Sequence, residues 1–311
     1  MEIRAGVPQG GVLSPTLFLI VINCAPLIYC LLTEQYGLLF ADDLCHLVVF
    51  ENINDATNLE NEFIRRLNEW MDEWQFDLAA NKSYYCIFTR YKRFHIHNNY
   101  PKLKIGDKEI TYTDKMRFLG ITLDAFLSGY AQIRDIKEKA TDRLNILRVI
   151  SNKKKWHINE RCQISIYKSL IRSLFDYSSF LSKIIKDETL FDTLEAIQCM
   201  ALRIIFCIKW EDKISNENIR KRANVSTIKE RMNMLANRYI KNAVFNENEL
   251  ILGLISESCL ERKSKLIDVN LADGIILKLE DIIETNKYLI AKPYKHKTVL
   301  YEFIFDVLDG F

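Results

Sequence analysis

The adjacent acids Asp42 and Asp43 are the residues of this chain best suited to chemistry. They follow the apolar run Leu38-Leu39-Phe40-Ala41 and precede Leu44. A second apolar run, Leu47-Val48-Val49-Phe50, comes straight after. Aromatic and β-branched residues on both sides of a two-residue acidic turn predict a β-hairpin. The turn lifts both carboxylates to the tip. Two anions held that close repel, so the arrangement calls for a cation, and a hard, oxygen-seeking divalent ion such as Mg²⁺ fits best. Phosphoryl-transfer enzymes use two such ions about 3.5–4 Å apart to steady the attacking and leaving oxygens. Taken alone, an Asp-Asp pair is more often a solvated turn. Its neighbours in the sequence carry the decision.

Upstream stands Gly6-Val7-Pro8-Gln9-Gly10-Gly11-Val12-Leu13-Ser14-Pro15. Downstream come Leu78-Ala79-Ala80-Asn81-Lys82-Ser83 and Phe118-Leu119-Gly120-Ile121-Thr122-Leu123-Asp124. In order and spacing, these blocks and the acidic hairpin resemble motifs B, C, D and E of the palm of a non-LTR retrotransposon reverse transcriptase, most closely the Jockey type. Phe40 stands where many relatives carry Tyr. The resemblance covers roughly residues 4–255.

That resemblance implies an RNA-directed DNA polymerase. Two Mg²⁺ ions, in the complete polymerase, would serve nucleotidyl transfer from deoxynucleoside triphosphates to a primer 3′ hydroxyl. The implied partners are an RNA template and a DNA primer. Asp42 and Asp43 would be the catalytic, metal-holding carboxylates. Pro8, Gln9 and Gly10 would line the nucleotide pocket. Lys82 would lie near the triphosphate, where a cation suits developing phosphate charge. Phe118, Leu119 and Gly120 would form the primer grip. Asp124 has no catalytic counterpart in the family. On residues alone, the glycine-rich loop is a turn before a helix, and Lys82 reads equally as an exposed turn lysine. The resemblance also implies assembly with RNA in the cytoplasm and copying in the nucleus.

The family carries one more catalytic Asp, in motif A, on a strand well before the first of these blocks. Met1 stands five residues before Gly6. The expectation is therefore a C-terminal polymerase part: palm motifs B to E plus thumb, without fingers and motif A. Such a part lacks a bridging carboxylate and a lid over the nucleotide. It is expected not to polymerise by itself, unless a separate N-terminal polymerase part completes it. The alternative is a non-catalytic remnant that holds RNA or an RNA–DNA duplex.

The expected fold is α+β: a partial polymerase palm, an antiparallel sheet with helices on one face, followed by an all-α thumb and a helical tail. The expected domains are 1–128 for the palm, 129–210 for the thumb and 211–311 for a helical region of unknown role. Ser14-Pro15 predicts a helix start, with serine as cap and proline in the first turn. The apolar stretch Leu17 to Leu32 is shorter than the ~20 residues needed to span a bilayer. Asn23 and Pro26 interrupt it, so it is expected as a buried helix and no membrane partner is expected. Asn54 or Asp55 is expected to cap a helix with Ala56, Leu59, Phe63, Leu67, Trp70 and Trp74 along one apolar stripe. Tyr84 to Thr89 and Met116 to Leu123 read as strands. Leu103 to Thr111 reads as a hairpin around Gly106-Asp107.

From Tyr130 onward the periodicity is helical. Helices are expected over 130–150, 159–182 and 190–208, then from the capping box Thr227-Ile228-Lys229-Glu230 to about Val244. Ile275 to Ile290 and Val299 to Leu308 also read as helical. Lys153-Lys154-Lys155-Trp156 could grip a nucleic-acid backbone, with Trp156 packing on a sugar or base. A solvated helix–helix loop accounts for the same residues equally well. Length, with 311 residues, allows two cored domains. The 49% hydrophobic and 27% charged composition is that of a globular chain. Acids exceed bases up to about Phe126 and bases exceed acids after it, which suits a phosphate-backbone partner. The eight cysteines contain no Cys-x-x-Cys pair. Most fall in apolar runs, the usage of reduced, buried thiols.

Overall fold

A computed structural model gives the fold. It describes residues 6–8, 10–25, 35–50, 52–89, 100–151, 156–185, 187–209, 211–246 and 299–306, the last as backbone only. The chain divides into two compact units, Met1–Leu127 with Lys295–Phe311, and Ser128–Tyr294.

The first unit mixes helices and strands in an α+β arrangement. It begins with α1 (Ser14–Ile22), β1 (Gln35–Phe40), β2 (Asp43–Phe50), α2 (Ile53–Trp74) and β3 (Tyr84–Phe88). Short strands follow: β4 (Lys104–Ile105), β5 (Lys108–Glu109), β6 (Thr111–Tyr112), β7 (Lys115–Phe118) and β8 (Ile121–Asp124). A last strand, β9 (Val299–Asp306), comes from far downstream. The main sheet has the order β1-β2-β9-β3-β6. All its neighbours are antiparallel except β3 and β6.

Strand periodicity sorts β2 onto two faces. Leu44, Val48 and Phe50 pack with Phe63, Ile64 and Leu67 of α2. Cys45 packs on the other side with Cys86, Met116 and Ala125, and Leu47, Phe118 and Leu123 join them. The sheet is therefore sandwiched between α2 and the β7–β8 hairpin.

Several expectations are corrected in this unit. The cap of α2 is Asn52, whose side chain accepts from the Asn54 amide at 3.0 Å. The helix thus opens before Asn54, because Asn52 has the extended backbone a cap needs. Its stripe buries Ala56, Phe63 and Leu67, but also Glu60, Ile64 and Met71, while Trp74 is exposed. Ser14 is the first helical residue of α1, not its cap. Its hydroxyl instead donates to the Pro8 carbonyl at 2.5 Å, closing the glycine loop. The expected buried helix after Leu17 is mostly exposed over its described part, with Leu17, Leu19 and Ile20 facing outward. Its expected kink at Pro26 lies outside the described residues. Among the described residues, no helix is long and apolar enough to cross a membrane. Of the cysteines, Cys45, Cys86 and Cys199 are buried, whereas Cys24, Cys162 and Cys207 are exposed.

Two corrections concern strands. Met116 to Leu123 is a hairpin rather than one strand, because Leu119 and Gly120 both take left-handed backbone, φ 45° and 80°. That pair of conformations makes a tight hairpin turn. Val299–Asp306 is a strand, not a helix. Val-Leu-Tyr-Glu-Phe-Ile-Phe-Asp is short for a helix and rich in aromatic and β-branched residues, which suit a pleated strand. It also gains ladder partners on both edges, from Asp43–Phe50 of β2 and Tyr84–Phe88 of β3.

The described part of the second unit is helical. It holds α3 (Tyr130–Ile150), α4 (Glu160–Tyr167), a π-helical turn Lys168–Arg172, α5 (Ser173–Tyr177) and a 3-10 turn Ser179–Lys183. Then come α6 (Thr189–Phe206), α7 (Asn216–Ala223) and α8 (Ile228–Phe245). Ile136, Leu144, Tyr167, Phe175, Leu194, Leu202 and Met232 share one core. The single helix expected over 159–182 is broken into these pieces. Buried Tyr167 and Phe175 are kept on the core by a π turn between them, which shifts the helical phase. The expected capping box is formed: Thr227 and Glu230 each accept the other's backbone amide, at 3.2 and 3.1 Å. The helix expected over 275–290 lies outside the described residues.

Candidate functional site

The acidic hairpin forms, with its turn one residue earlier than expected. Phe40 pairs with Asp43, Leu39 with Leu44 and Leu38 with Cys45. The turn residues are therefore Ala41 and Asp42, not both acids, and Ala41 takes the left-handed backbone at φ 54°. Asp43 opens β2. Asp42 and Asp43 are both half-buried at the tip, beside exposed Phe40 and Ala41. Directly behind them Leu44 and Cys45 are buried. The carboxylates thus sit at the end of the sheet, at the boundary with solvent.

The sheet brings a second expected residue to the same end. β3 begins at Tyr84, paired with Ile304, and β2 begins at Asp43, paired with Asp306. The turn carrying exposed Lys82 therefore lies at the hairpin-tip end of the sheet. The Lys82 amide donates to the Ala79 carbonyl at 2.9 Å, and Ser83 is buried beneath it. This end is thus mixed in charge: two carboxylates and a lysine.

The expected primer-grip residues lie on the neighbouring face. Phe118, Leu119 and Gly120 form the tip of the β7–β8 hairpin, which packs against the face of Cys45 and Cys86. Asp43 shares that face of β2 with Cys45 and Leu47 by the two-residue period. The Tyr84 hydroxyl donates to the Arg117 carbonyl at 2.8 Å and pins the hairpin to β3. Asp124 has a local role, accepting the Phe126 amide at 3.2 Å in the turn after β8.

The glycine loop is closed on itself. The Gly11 amide donates to the Pro8 carbonyl at 3.2 Å. A Cβ on Gly11 would meet the Ser14 hydroxyl oxygen at 2.5 Å, so a side chain there would displace the bond that holds the loop. Pro8 and Gly10 are exposed, and Gln9 lies outside the described residues. Trp156, in the second unit, is about half exposed, whereas Lys153, Lys154 and Lys155 lie outside the described residues. Among the described residues, no group of three or more His, Cys, Asp or Glu side chains gathers as a metal site. The donor chemistry of Asp42 and Asp43 nevertheless fits a hard divalent cation, since both supply anionic oxygen.

Residues 1–123 match the reverse transcriptase (RNA-dependent DNA polymerase) family. The reverse-transcriptase match spans the glycine loop, the acidic hairpin, the Lys82 turn and the β7–β8 hairpin. Curated relatives extend the similarity. The chain is 25% identical over 260 residues to the "Probable RNA-directed DNA polymerase from transposon X-element" of Drosophila melanogaster, covering 81% of this chain and 27% of that protein. It is 25% identical over 256 residues to the "RNA-directed DNA polymerase from mobile element jockey" of the same species, covering 80% and 26%. The Drosophila funebris protein of that name is 24% identical over 271 residues, covering 85% and 28%. The chain thus spans about a quarter of the length of the curated relatives it matches. No solved structure matches.

Sequence reasoning missed two features of this region. One is the pair of His46 with Glu60, buried beneath the sheet. The other is β9, beside the acidic hairpin. The terminal Asp of an apolar, aromatic-rich run is the signal that could have found β9.

Proposed function

We propose that this chain carries part of the palm, residues 1–128, and the thumb, residues 129–210, of a non-LTR retrotransposon reverse transcriptase. The observation that carries the reading is the Asp42-Asp43 hairpin, half-buried at the end of the sheet inside the segment that matches the family. The reaction is RNA-directed DNA synthesis. A primer 3′ oxygen attacks the α-phosphorus of a deoxynucleoside triphosphate, the new P–O bond forms, and pyrophosphate leaves.

Asp42 and Asp43 hold the divalent ions, two Mg²⁺ in the complete polymerase. When bound, such ions neutralise charge on the attacking and leaving oxygens. Lys82, at the same end of the sheet, meets the charge that develops on pyrophosphate and can supply its proton. Pro8, Gln9 and Gly10 shape the nucleotide pocket, and the Pro8 carbonyl accepts from the Gly11 amide and the Ser14 hydroxyl. Phe118, Leu119 and Gly120 seat the primer end. Lys153, Lys154, Lys155 and Trp156 hold the template–primer duplex by phosphate contacts and stacking. The protein would assemble with its RNA in the cytoplasm and copy it in the nucleus.

The test is nucleotide incorporation on a primed RNA template with Mg²⁺, by the chain together with the N-terminal polymerase part that completes it, run beside duplex binding. Incorporation lost in Asp42→Ala while duplex binding stays supports the polymerase reading. Salt-dependent duplex binding with no incorporation, equal in wild type and Asp42→Ala, favours a non-catalytic binding remnant.

A further inference from the structure

We infer that the pocket at the end of α6 binds a small organic carboxylate, an anionic head on an apolar body. The pocket lies in the second unit and outside residues 1–123, and the inference does not rest on the polymerase reading.

Helical spacing builds the pocket. Met200, Ile204 and Ile208 recur at every fourth residue, the spacing that stacks side chains on one face of a helix. All three are partly buried against the core of the second unit. Cys207 ends α6 with left-handed backbone, φ 53°. The Cys207 amide donates to the Ile204 carbonyl at 3.2 Å, and the Ile208 amide to the Arg203 carbonyl at 3.0 Å. Such a closure folds the following residue back against the last turn, so Ile208 joins Ile204. Arg203 stands in the last turn of α6, and Arg148 comes across from the last turn of α3. Arg148, Met200, Arg203, Ile204, Cys207 and Ile208 line a pocket of about 320 Å³. Ligand pockets run from about 300 to 1,000 Å³, so this one suits a small molecule.

The lining combines two guanidiniums with an apolar wall, and no carboxylate is part of it. The hydrogen bonds of Arg148 go to neutral acceptors. Its Nη1 donates to Asn145 Oδ1 at 2.6 Å and its Nη2 to Met200 Sδ at 3.8 Å. A thioether is a weak acceptor. A carboxylate arriving beside Met200 replaces that bond with a charge-assisted one, which is stronger than a neutral hydrogen bond. Arg203 is held in place, its Nη2 donating to the Ile214 carbonyl at 2.8 Å and to Asn216 Oδ1 at 3.4 Å. It adds a second, fixed positive charge to the same pocket.

The apolar wall decides between anions. A hydrated inorganic ion or a nucleic-acid phosphate gains nothing from Met200, Ile204 and Ile208. A hydrocarbon body covers them and removes apolar surface from water. The ligand class is therefore amphiphilic: a carboxylate for the guanidiniums and an alkyl or aryl body for the wall.

The test titrates octanoate calorimetrically into the full chain, with octanol as its uncharged counterpart. Octanoate should bind, octanol should bind at least roughly tenfold more weakly, and Arg148→Gln should weaken octanoate by roughly tenfold. Arg148 is exposed, so the variant should melt as wild type does. A second readout needs no variant. Alkylation of Cys207 by iodoacetamide should slow several-fold with octanoate bound, while that of Cys162, also exposed, keeps its rate. Equal binding of octanol, unchanged affinity in Arg148→Gln or an unprotected Cys207 overturns the inference. Displacement of octanoate by an RNA–DNA duplex overturns it too, and gives the pocket to the nucleic-acid surface.

Discussion

His46 Nδ1 lies 2.9 and 3.0 Å from the two carboxylate oxygens of Glu60, and both side chains are cut off from solvent. The imidazole stacks flat on Phe63, with centroids 3.7 Å apart. The pair joins β2 to α2 three residues from Asp43, so it fixes the strand that presents the acids. A buried pair of this kind is dangerous to break by half, because the remaining polar group stays buried alone. Glu60→Ala is expected to destabilise the chain by about 3–5 kcal/mol. Glu60→Gln, which keeps an acceptor, should lose less. Chemical denaturation of both variants checks this.

The same pair sets a pH dependence. Burial raises the Glu60 carboxyl above its ordinary 4.5, against the opposing pull of His46. A raised acid favours the protonated folded state. Its contribution is complete below pH 4.5 and is lost as pH climbs through the folded value. Melting temperature against pH should therefore fall more steeply above pH 4.5 in wild type than in Glu60→Gln. Parallel curves would show that Glu60 does not titrate in this way.

Leu119 bears left-handed backbone in the β7–β8 turn, where Asn-Gly is the favoured pair. Leu119→Asn should stabilise the hairpin by up to about 1 kcal/mol. If this turn seats a primer, the same change should lower incorporation, since the apolar tip is removed. Thermal melts and primer extension on the same preparation separate the two effects.

Glu195 is the polar hub of the second unit. It accepts from Arg220 at 3.0 Å and from the Ile228 amide at 2.8 Å, tying α6 to α7 and to the start of α8. Its charge at that helix N-terminus is also favourable. Glu195→Ala leaves Arg220 and the Ile228 amide without this acceptor and is expected to lose about 2–4 kcal/mol. Glu195→Gln should recover part of it. A melt followed at Trp156 reads this unit.

Trp156 is the exposed aromatic beside the three lysines. Trp156→Ala should leave stability within about 0.5 kcal/mol and weaken duplex binding by about 1–3 kcal/mol. Replacing Lys153, Lys154 and Lys155 by Ala should flatten the salt dependence, by about 0.9 in log–log slope per lost phosphate contact. Unchanged slope and affinity would assign these residues to a solvated loop.

The acidic hairpin was legible in the sequence because alternation and a short turn are local signals. The capping box at Thr227 and the 3.6-residue stripe of α3 were legible for the same reason. What the sequence hid is tertiary. Glu60 lies in an apolar stripe only because His46 faces it from β2. The π turn at Lys168–Arg172 answers to the packing of Tyr167 and Phe175, which no window along the chain reveals. Residues 299–306 read as helix in isolation, and only the open slot between β2 and β3 makes them a strand. Trp74 differs the other way: its spacing is that of the core, yet it stands exposed as the last residue of α2.

The position of β9 also governs how the chain comes to be folded. Its partners on β2 lie 249 to 263 residues earlier in the sequence. At ribosomal speeds, roughly 10–50 s pass between synthesis of the acidic hairpin and synthesis of the strand that joins it to β3. Through that interval the nascent sheet is split at its centre, with two unsatisfied edges open to chaperones or to other chains. The first unit therefore closes only once residues 299–306 have been made, and its assembly is slow for its size, because the decisive contacts are the most distant ones.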